Sequence, residues 1–258
     1  TLSKAISYTE GIGDQVASAY NTMRNSVNAV NDNETGYATY VSPNRLLAAL
    51  SYKLKESEHT TSTFSIIYDG TQVGYLGDAP STRFSYTFSA NINNDALAPA
   101  NLIYIPASRS ELDSWNFVDN GVVNGKTYTA AMQRDDFWNY IQQDSYLKHH
   151  KGRYAERGGA VMPWHHQLDF KYVRDMSIRV GQTRQTLQVG VDILNLPNFL
   201  CKDWGLYREI TSNALLTYKN NAYTYNLVNG QRHLTTSQNY LSRRSTYQIM
   251  FSVKYLFN

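Results

Sequence analysis

The stretch 247–257, YQIMFSVKYLF, decides the fold. Tyr247, Ile249, Phe251, Val253, Tyr255 and Phe257 fall on one side of an extended chain; Gln248, Met250, Ser252 and Lys254 fall on the other. A two-residue period marks a strand whose two faces meet different surroundings. An apolar side rich in aromatics, opposite a polar side that carries Lys, suits hydrocarbon outside and water inside a membrane β-barrel.

The same alternation recurs upstream. In 44–55, Leu46, Ala48, Leu50, Tyr52 and Leu54 oppose Arg45, Ser51, Lys53 and Lys55. In 61–69, Phe64, Ile66 and Tyr68 oppose Ser65 and Asp69. In 167–180, Leu168, Phe170, Tyr172, Met176 and Ile178 oppose Asp169, Lys171, Asp175 and Arg179. In 186–196, Leu187, Val189, Val191 and Ile193 oppose Gln188, Gly190 and Asp192. A short first strand over 2–9 and two less regular ones over 204–218 and 222–234 bring the expected number to roughly eight. Connections at 56–60, 181–185 and 219–221 are short, and those at 10–43, 70–163, 197–203 and 235–244 are mostly long. Short and long alternate along the chain, as in a barrel with tight turns on one side of a membrane and large loops on the other. Within 70–163, residues 83–90 are expected to extend the wall as a hairpin. Residues 135–148 are expected to be helical, capped by Asp135 or Asp136, with Phe137, Tyr140, Ile141 and Leu147 on one face.

One residue disagrees with this pattern. Arg174 falls on the apolar face of its strand, where a charge at mid-membrane costs roughly 2–4 kcal/mol. Either a bulge re-registers the strand, or the side chain reaches the short-turn interface; the second is the preferred reading.

Composition fits a barrel. Among 258 residues there are 21 Tyr, 9 Phe and 4 Trp, and Tyr suits a boundary where a ring meets apolar material and its hydroxyl stays wet. Mean hydropathy is -0.48 and no apolar run approaches the length of a spanning helix, a test that strands escape. The net charge of +3, spread along the chain, argues against nucleic acid as a partner. A single cysteine, Cys201, rules out an internal disulfide and argues against a cysteine-based metal centre. Thr1 is expected to be a processed or truncated beginning, since no signal peptide precedes it.

Several longer stretches then resemble a known family in their order: PNRLLAALSYKL (43–54), FSYTFSANINND (84–95), NLIYIP (101–106), YIQQDSYLKHHKGRYAERGGAVMPWHHQLDF (140–170) and TLQVGVDILNLPNFLCKDWG (186–205), followed by the terminal strand. Together they look like the barrel portion of the TonB-dependent outer-membrane receptors of Bacteroidota, the Oar-like group related to SusC. The resemblance implies an all-β, antiparallel transmembrane barrel of about 22 strands around a plug. Residues 1–258 would supply about eight of those strands, with long extracellular loops and no plug. It implies nutrient uptake across the cell outer membrane and no enzyme activity. The implied partners are the rest of the receptor, the TonB complex, outer-membrane lipid and a surface lipoprotein. The sequence departs from the family where ANINNDA (90–96) stands in place of an acidic, glycine-containing run, and where Asn258 follows Phe257.

Candidate chemistry is sparse. Asn91, Asn93 and Asp95 are spaced like part of a calcium loop but lack its glycine and distal acid, so a turn is expected and no metal. His149–His150 and His165–His166 are adjacent pairs, which point apart on a strand; with Trp164 they read as interfacial residues. Asp135–Asp136 with a nearby histidine would suit hydrolysis, the alternative being helix caps. Cys201 has no recognisable base partner. No catalytic, cofactor or metal residue is therefore assigned. Inward charges Arg45, Lys53, Asp169, Lys171, Asp175, Asp192 and Lys254 are expected to hydrate the lumen or meet the plug. Loops on a rigid scaffold carry recognition, so 10–43 and 70–163 are the expected ligand-facing surface, with Tyr104, Trp115, Trp138 and Tyr140 as contact candidates. A complete eight-stranded barrel acting as anchor or adhesin, and a barrel enzyme, are the competing readings.

Overall fold

Alternating sequence becomes long strand where nothing interrupts it. A computed structural model describes residues 6–7, 25–27, 35–38, 41–90, 92 and 101–257. Five long strands form one sheet: β1 (Arg45–Lys55), β2 (Thr60–Gln72), β3 (Trp164–Val180), β4 (Thr183–Leu194) and β5 (Gln248–Phe257). They pair in chain order, each antiparallel to the next. The β1–β2 and β3–β4 turns are short, while long connections join β2 to β3 and β4 to β5 at the other end of the sheet.

Register puts the expected faces in rows. Leu50, Ile66, Phe170, Ile193 and Ile249 stand side by side across all five strands. The next row is Tyr52, Phe64, Tyr172, Val191 and Phe251. The opposite face carries polar pairs. Ser51 and Ser65 hydroxyls lie 2.7 Å apart, Lys171 meets Asp192 at 2.9 Å, and Gln188 donates to Asp175 at 2.7 Å. Arg45 reaches Asp69 at 2.6 Å on that face. Leu47, Ile67 and Met250 are apolar exceptions there. Of the expected inward charges, Lys171 and Asp192 pair with one another, Arg45 pairs with Asp69, and Asp175 accepts from Gln188.

Among the described residues the sheet has five strands rather than eight. The first expected strand falls mostly outside the described residues. The segments 204–218 and 222–234 are not wall strands. Turns at Thr211–Asn213 and at Asn220–Asn221 cut them into Tyr207–Ile210, Ala214–Lys219 and Ala222–Tyr225, none longer than six residues. A spanning strand needs about 9–11 residues. The expected wall hairpin over 83–90 is also absent. Arg83–Phe84 pairs instead with Ala160–Val161, and Thr87–Phe88 runs parallel to residues 214–216.

These short pieces form a separate cap. Its core contains Phe84, Tyr86, Ile103, Ile105, Leu112, Phe137, Tyr140, Ile141, Leu147, Leu215 and Tyr225, all drawn from the two long connections. Parallel pairing of Tyr207–Ile210 with Gly74–Leu76 ties those two connections together. No large apolar side chain of β1–β5 belongs to the core, and every residue of β1 and β5 is exposed. The large apolar side chains of the sheet therefore take no part in the cap's core.

Two helices shape the cap, α1 (Arg109–Asp113) and α2 (Ala130–Gln143), and α3 (Leu196–Leu200) follows β4. Helix α2 starts before the expected Asp135. Thr129 caps it by accepting from the Met132 amide at 3.3 Å, and Asp119 accepts from the Ala130 amide at 2.9 Å. Ala130, Ala131 and Met132 are strong helix formers, so the helix extends back to the first good cap. Phe137, Tyr140, Ile141 and Leu147 are buried together as the periodicity requires.

Arg174 keeps an unbroken register with both β2 and β4, so no bulge moves it off the apolar face. Its guanidinium reaches Glu56 in the β1–β2 turn at 2.7 Å, and Glu56 also accepts from Ser62 at 2.6 Å. The charge is met at the short-turn end.

Candidate functional site

Two of the four contact candidates share one cleft, of about 460 Å³. Tyr104 and Trp115 lie there with Tyr154, Tyr218, Tyr223 and the Glu111 carboxylate. Each ring is placed by local structure. Tyr104 and Tyr154 are direct partners in a short antiparallel pair, their rings 5.2 Å apart. Tyr218 and Tyr223 are partners in the hairpin Ala214–Lys219/Ala222–Tyr225. Its two turn residues, Asn220 and Asn221, both adopt positive φ (54° and 58°), which a two-residue primed turn demands and Asn tolerates. Trp115 follows α1 directly. The Tyr223 amide donates to the Asn116 carbonyl at 2.8 Å, and Asn116 Nδ2 donates to the Asn221 carbonyl at 2.7 Å. Those bonds hold the Trp115 ring 5.0 Å from Tyr223.

The rings form a connected series. Tyr218 lies 4.7 Å from Tyr223, and Trp115 lies 6.3 Å from Tyr104. Phe137 backs Trp115 from the core at 6.4 Å. Glu111 occupies the third position of α1, where its Oε2 accepts from the Ala107 amide at 2.6 Å while Ser108 caps the helix. That is the reciprocal pattern of a capping box shifted by one residue. Burial pushes the Tyr104 hydroxyl above the usual phenol range, and a hydrogen bond to Glu111 adds to the shift. Burial raises Tyr223 as well. These phenols stay neutral donors at ordinary pH.

The other two candidates lie elsewhere. Tyr140 is fully buried. It shares the inner face of α2 with Phe137 and Ile141, three and one positions away, and contacts Tyr86 and His233. A ligand has no access to it. Trp138 is half-buried away from the cleft, with the Lys151 ammonium 5.0 Å from its ring centre.

The acids and histidines do not assemble for hydrolysis. Asp135 pairs with Arg109 at 2.7 Å. Asp136 is buried, accepts from Tyr128 at 2.7 Å and forms an ion pair with Arg232. His149 and His150 bind backbone carbonyls of the preceding turn, at 2.9 and 2.8 Å. His165 stacks on Tyr207 at 3.7 Å, whereas His166, on the opposite face, meets the Tyr68 hydroxyl at 2.7 Å. Among the described residues no three of His, Cys, Asp and Glu gather as metal ligands. Asn91, Asn93 and Asp95 lie outside the described residues, as does most of loop 10–43.

A second cleft of about 450 Å³ is lined by Glu209, Thr211, Arg232, His233 and Gln238. His233 is 1% exposed, and burial pulls its imidazole down to about 4.

Sequence reading missed Tyr154, Tyr218, Tyr223 and Glu111. The short connection expected at 219–221 marks this turn, but the hairpin it closes lies in the cap and not in the long-stranded sheet. Comparison of the chain with protein-family models, with characterised proteins and with solved structures returns no match.

Proposed function

We propose that these strands form part of the wall of an outer-membrane β-barrel and that the cap is its outer recognition surface. The observation that carries the reading is the five-stranded sheet whose large apolar side chains stay outside the core, with both edge strands exposed along their whole length. Leu50 is 71% exposed, Phe251 79% and Val253 73%. A sheet this open would not persist in water, but hydrocarbon against the apolar face removes the difficulty.

Dimensions support it. Leu168 to Ile178 along β3 covers roughly 33 Å at about 3.3 Å per residue, and a strand tilt of about 45° reduces this to about 23 Å of depth. That is close to the roughly 25 Å apolar band of such barrels. Trp164, His166 and Tyr68 cluster at one end of the apolar face, and Tyr255 and Phe257 at the other. Both fit the aromatic girdles of a membrane barrel. β1 and β5 end the strand order among the described residues, and a wall continued by other strands would cover both edges. The resemblance to the TonB-dependent receptors of the Oar-like group extends the proposal to nutrient uptake. In that mechanism a plug gates the lumen and TonB supplies the energy.

Fractionation of cells producing the chain tests the first part. It should sediment with the outer membrane, resist alkaline extraction and expose its cap to added protease. Recovery in the aqueous fraction would overturn the assignment. Loss of proton-motive-force-dependent accumulation of a nutrient on gene deletion tests the second part.

A further inference from the structure

The aromatic cleft has an electrostatic character that the recognition role leaves open. Five of its lining residues are aromatic, Tyr104, Trp115, Tyr154, Tyr218 and Tyr223, and each ring carries negative charge on its faces. Glu111 supplies a full negative charge, and among the described lining residues there is no Lys, Arg or His. This is unusual in a chain of net charge +3. Neighbouring bases are committed elsewhere. Arg109 pairs with Asp113 at 2.9 Å and with Asp135 at 2.7 Å. Arg134 donates to the Trp115 carbonyl at 3.1 Å and lies over Phe117. Lys219 and Arg153 each adjoin a cleft tyrosine on a strand, so alternation sends them to the opposite face.

We propose that this cleft binds a small organic cation, an ammonium group held against Trp115 and the tyrosines with Glu111 as its counter-charge. The proposal rests on the cap being a recognition surface and names what that surface takes. Ring faces attract a cation within about 6 Å of their centres, more strongly when water is excluded. The consecutive spacings here, 4.7 to 6.3 Å, let one methylated ammonium touch two or three rings at once. The Glu111 carboxylate has acceptor capacity beyond its bond to the Ala107 amide. The carboxylate repels an anion and gains a charge pairing only from a cation; a neutral hydroxylated ligand gains hydrogen bonds to it but no such pairing.

The test is a titration of the full chain, folded in a nonionic polyoxyethylene detergent, followed by NMR of the tryptophan indoles. Tetramethylammonium and choline are the probes, 3,3-dimethylbutanol is the neutral isostere of choline, and glucose and acetate are the controls. Trp115→Phe assigns the reporting signal. Choline should bind at millimolar concentration and at least about fivefold more tightly than its isostere, the size of one exposed cation–π contact. Glu111→Gln keeps the capping hydrogen bond. It should weaken choline about fivefold and leave the isostere unchanged. Tyr154 is 47% exposed, so Tyr154→Leu leaves the core intact and should weaken choline as well. Equal binding of choline and its isostere, tighter binding of glucose, or indifference to both substitutions would overturn the proposal. None of these readouts depends on where the sheet resides, so failure here leaves the membrane assignment standing.

Discussion

Placing an arginine at Phe251 separates a sheet bathed in water from one facing lipid, because the two surroundings give different answers. Phe251 is 79% exposed on the apolar face, partway along the edge strand β5 and beside Val191. If water covers that face, Phe251→Arg replaces an exposed apolar ring with a charge and changes stability by no more than about 0.5 kcal/mol. If hydrocarbon covers it, the arginine costs about 2–4 kcal/mol, and the lost phenylalanine burial adds about 2 kcal/mol. The total is about 5 kcal/mol, a large share of any domain's stability. Ser252→Arg, one residue along and on the polar face, is the matched control. Its expected cost is under about 1 kcal/mol, since lumen-facing positions tolerate charge. Reversible urea unfolding in lipid vesicles, followed by heat-modifiable migration on gels, measures both. A Phe251→Arg penalty within about 1 kcal/mol of the Ser252→Arg penalty refutes a lipid-facing side.

Three further outcomes follow from particular contacts. Glu56→Gln should cost about 1–2 kcal/mol by stranding the Arg174 guanidinium, and adding Arg174→Leu should recover most of it. Strict additivity in that double-mutant cycle would show that the pair is not coupled. Arg232→Ala should destabilise the cap by about 3 kcal/mol, because the buried Asp136 carboxylate keeps only the Tyr128 hydroxyl. Near-ultraviolet circular dichroism during urea unfolding reads that loss, and Asp136→Asn in the same background should reduce it. The folded state binds a proton at His233 only near pH 4, while the unfolded chain binds it near 6.5. The imidazole therefore leaves stability intact above about pH 6.5. It removes on the order of 3 kcal/mol as the pH falls toward 4. His233→Phe should flatten that slope, and an unchanged pH profile of cap unfolding would place the proton elsewhere.

The junction between sheet and cap shows how local chemistry ends a strand. The expected strand runs to residue 196, but β4 stops at Leu194. Asn195 adopts φ 55°, and its side-chain amide donates to the carbonyls of Gly205 and Ser245 at 2.8 and 3.1 Å. Gly205, at φ 63°, has no room for a Cβ against Asn195. Periodicity carries no signal for such a clamp, since its partners lie 10 and 50 residues away.

Sequence alone determined the long strands, their two faces and the placement of short turns at one end of the sheet. Those properties follow from a two-residue side-chain period and from turn chemistry, both of which act between near neighbours. It also located the buried face of α2, because a helical period is equally local. Only the tertiary structure decided that 204–234 serves the cap rather than the long-stranded sheet, that Tyr140 is core, and that Tyr104 and Trp115 meet Tyr154, Tyr218 and Tyr223 in one cleft. Short strands such as Thr87–Phe88 and Ala214–Lys219 gain their stability from each other across more than a hundred residues of chain. Local pattern cannot choose such partners. The burial of aromatic area in a shared core chooses them.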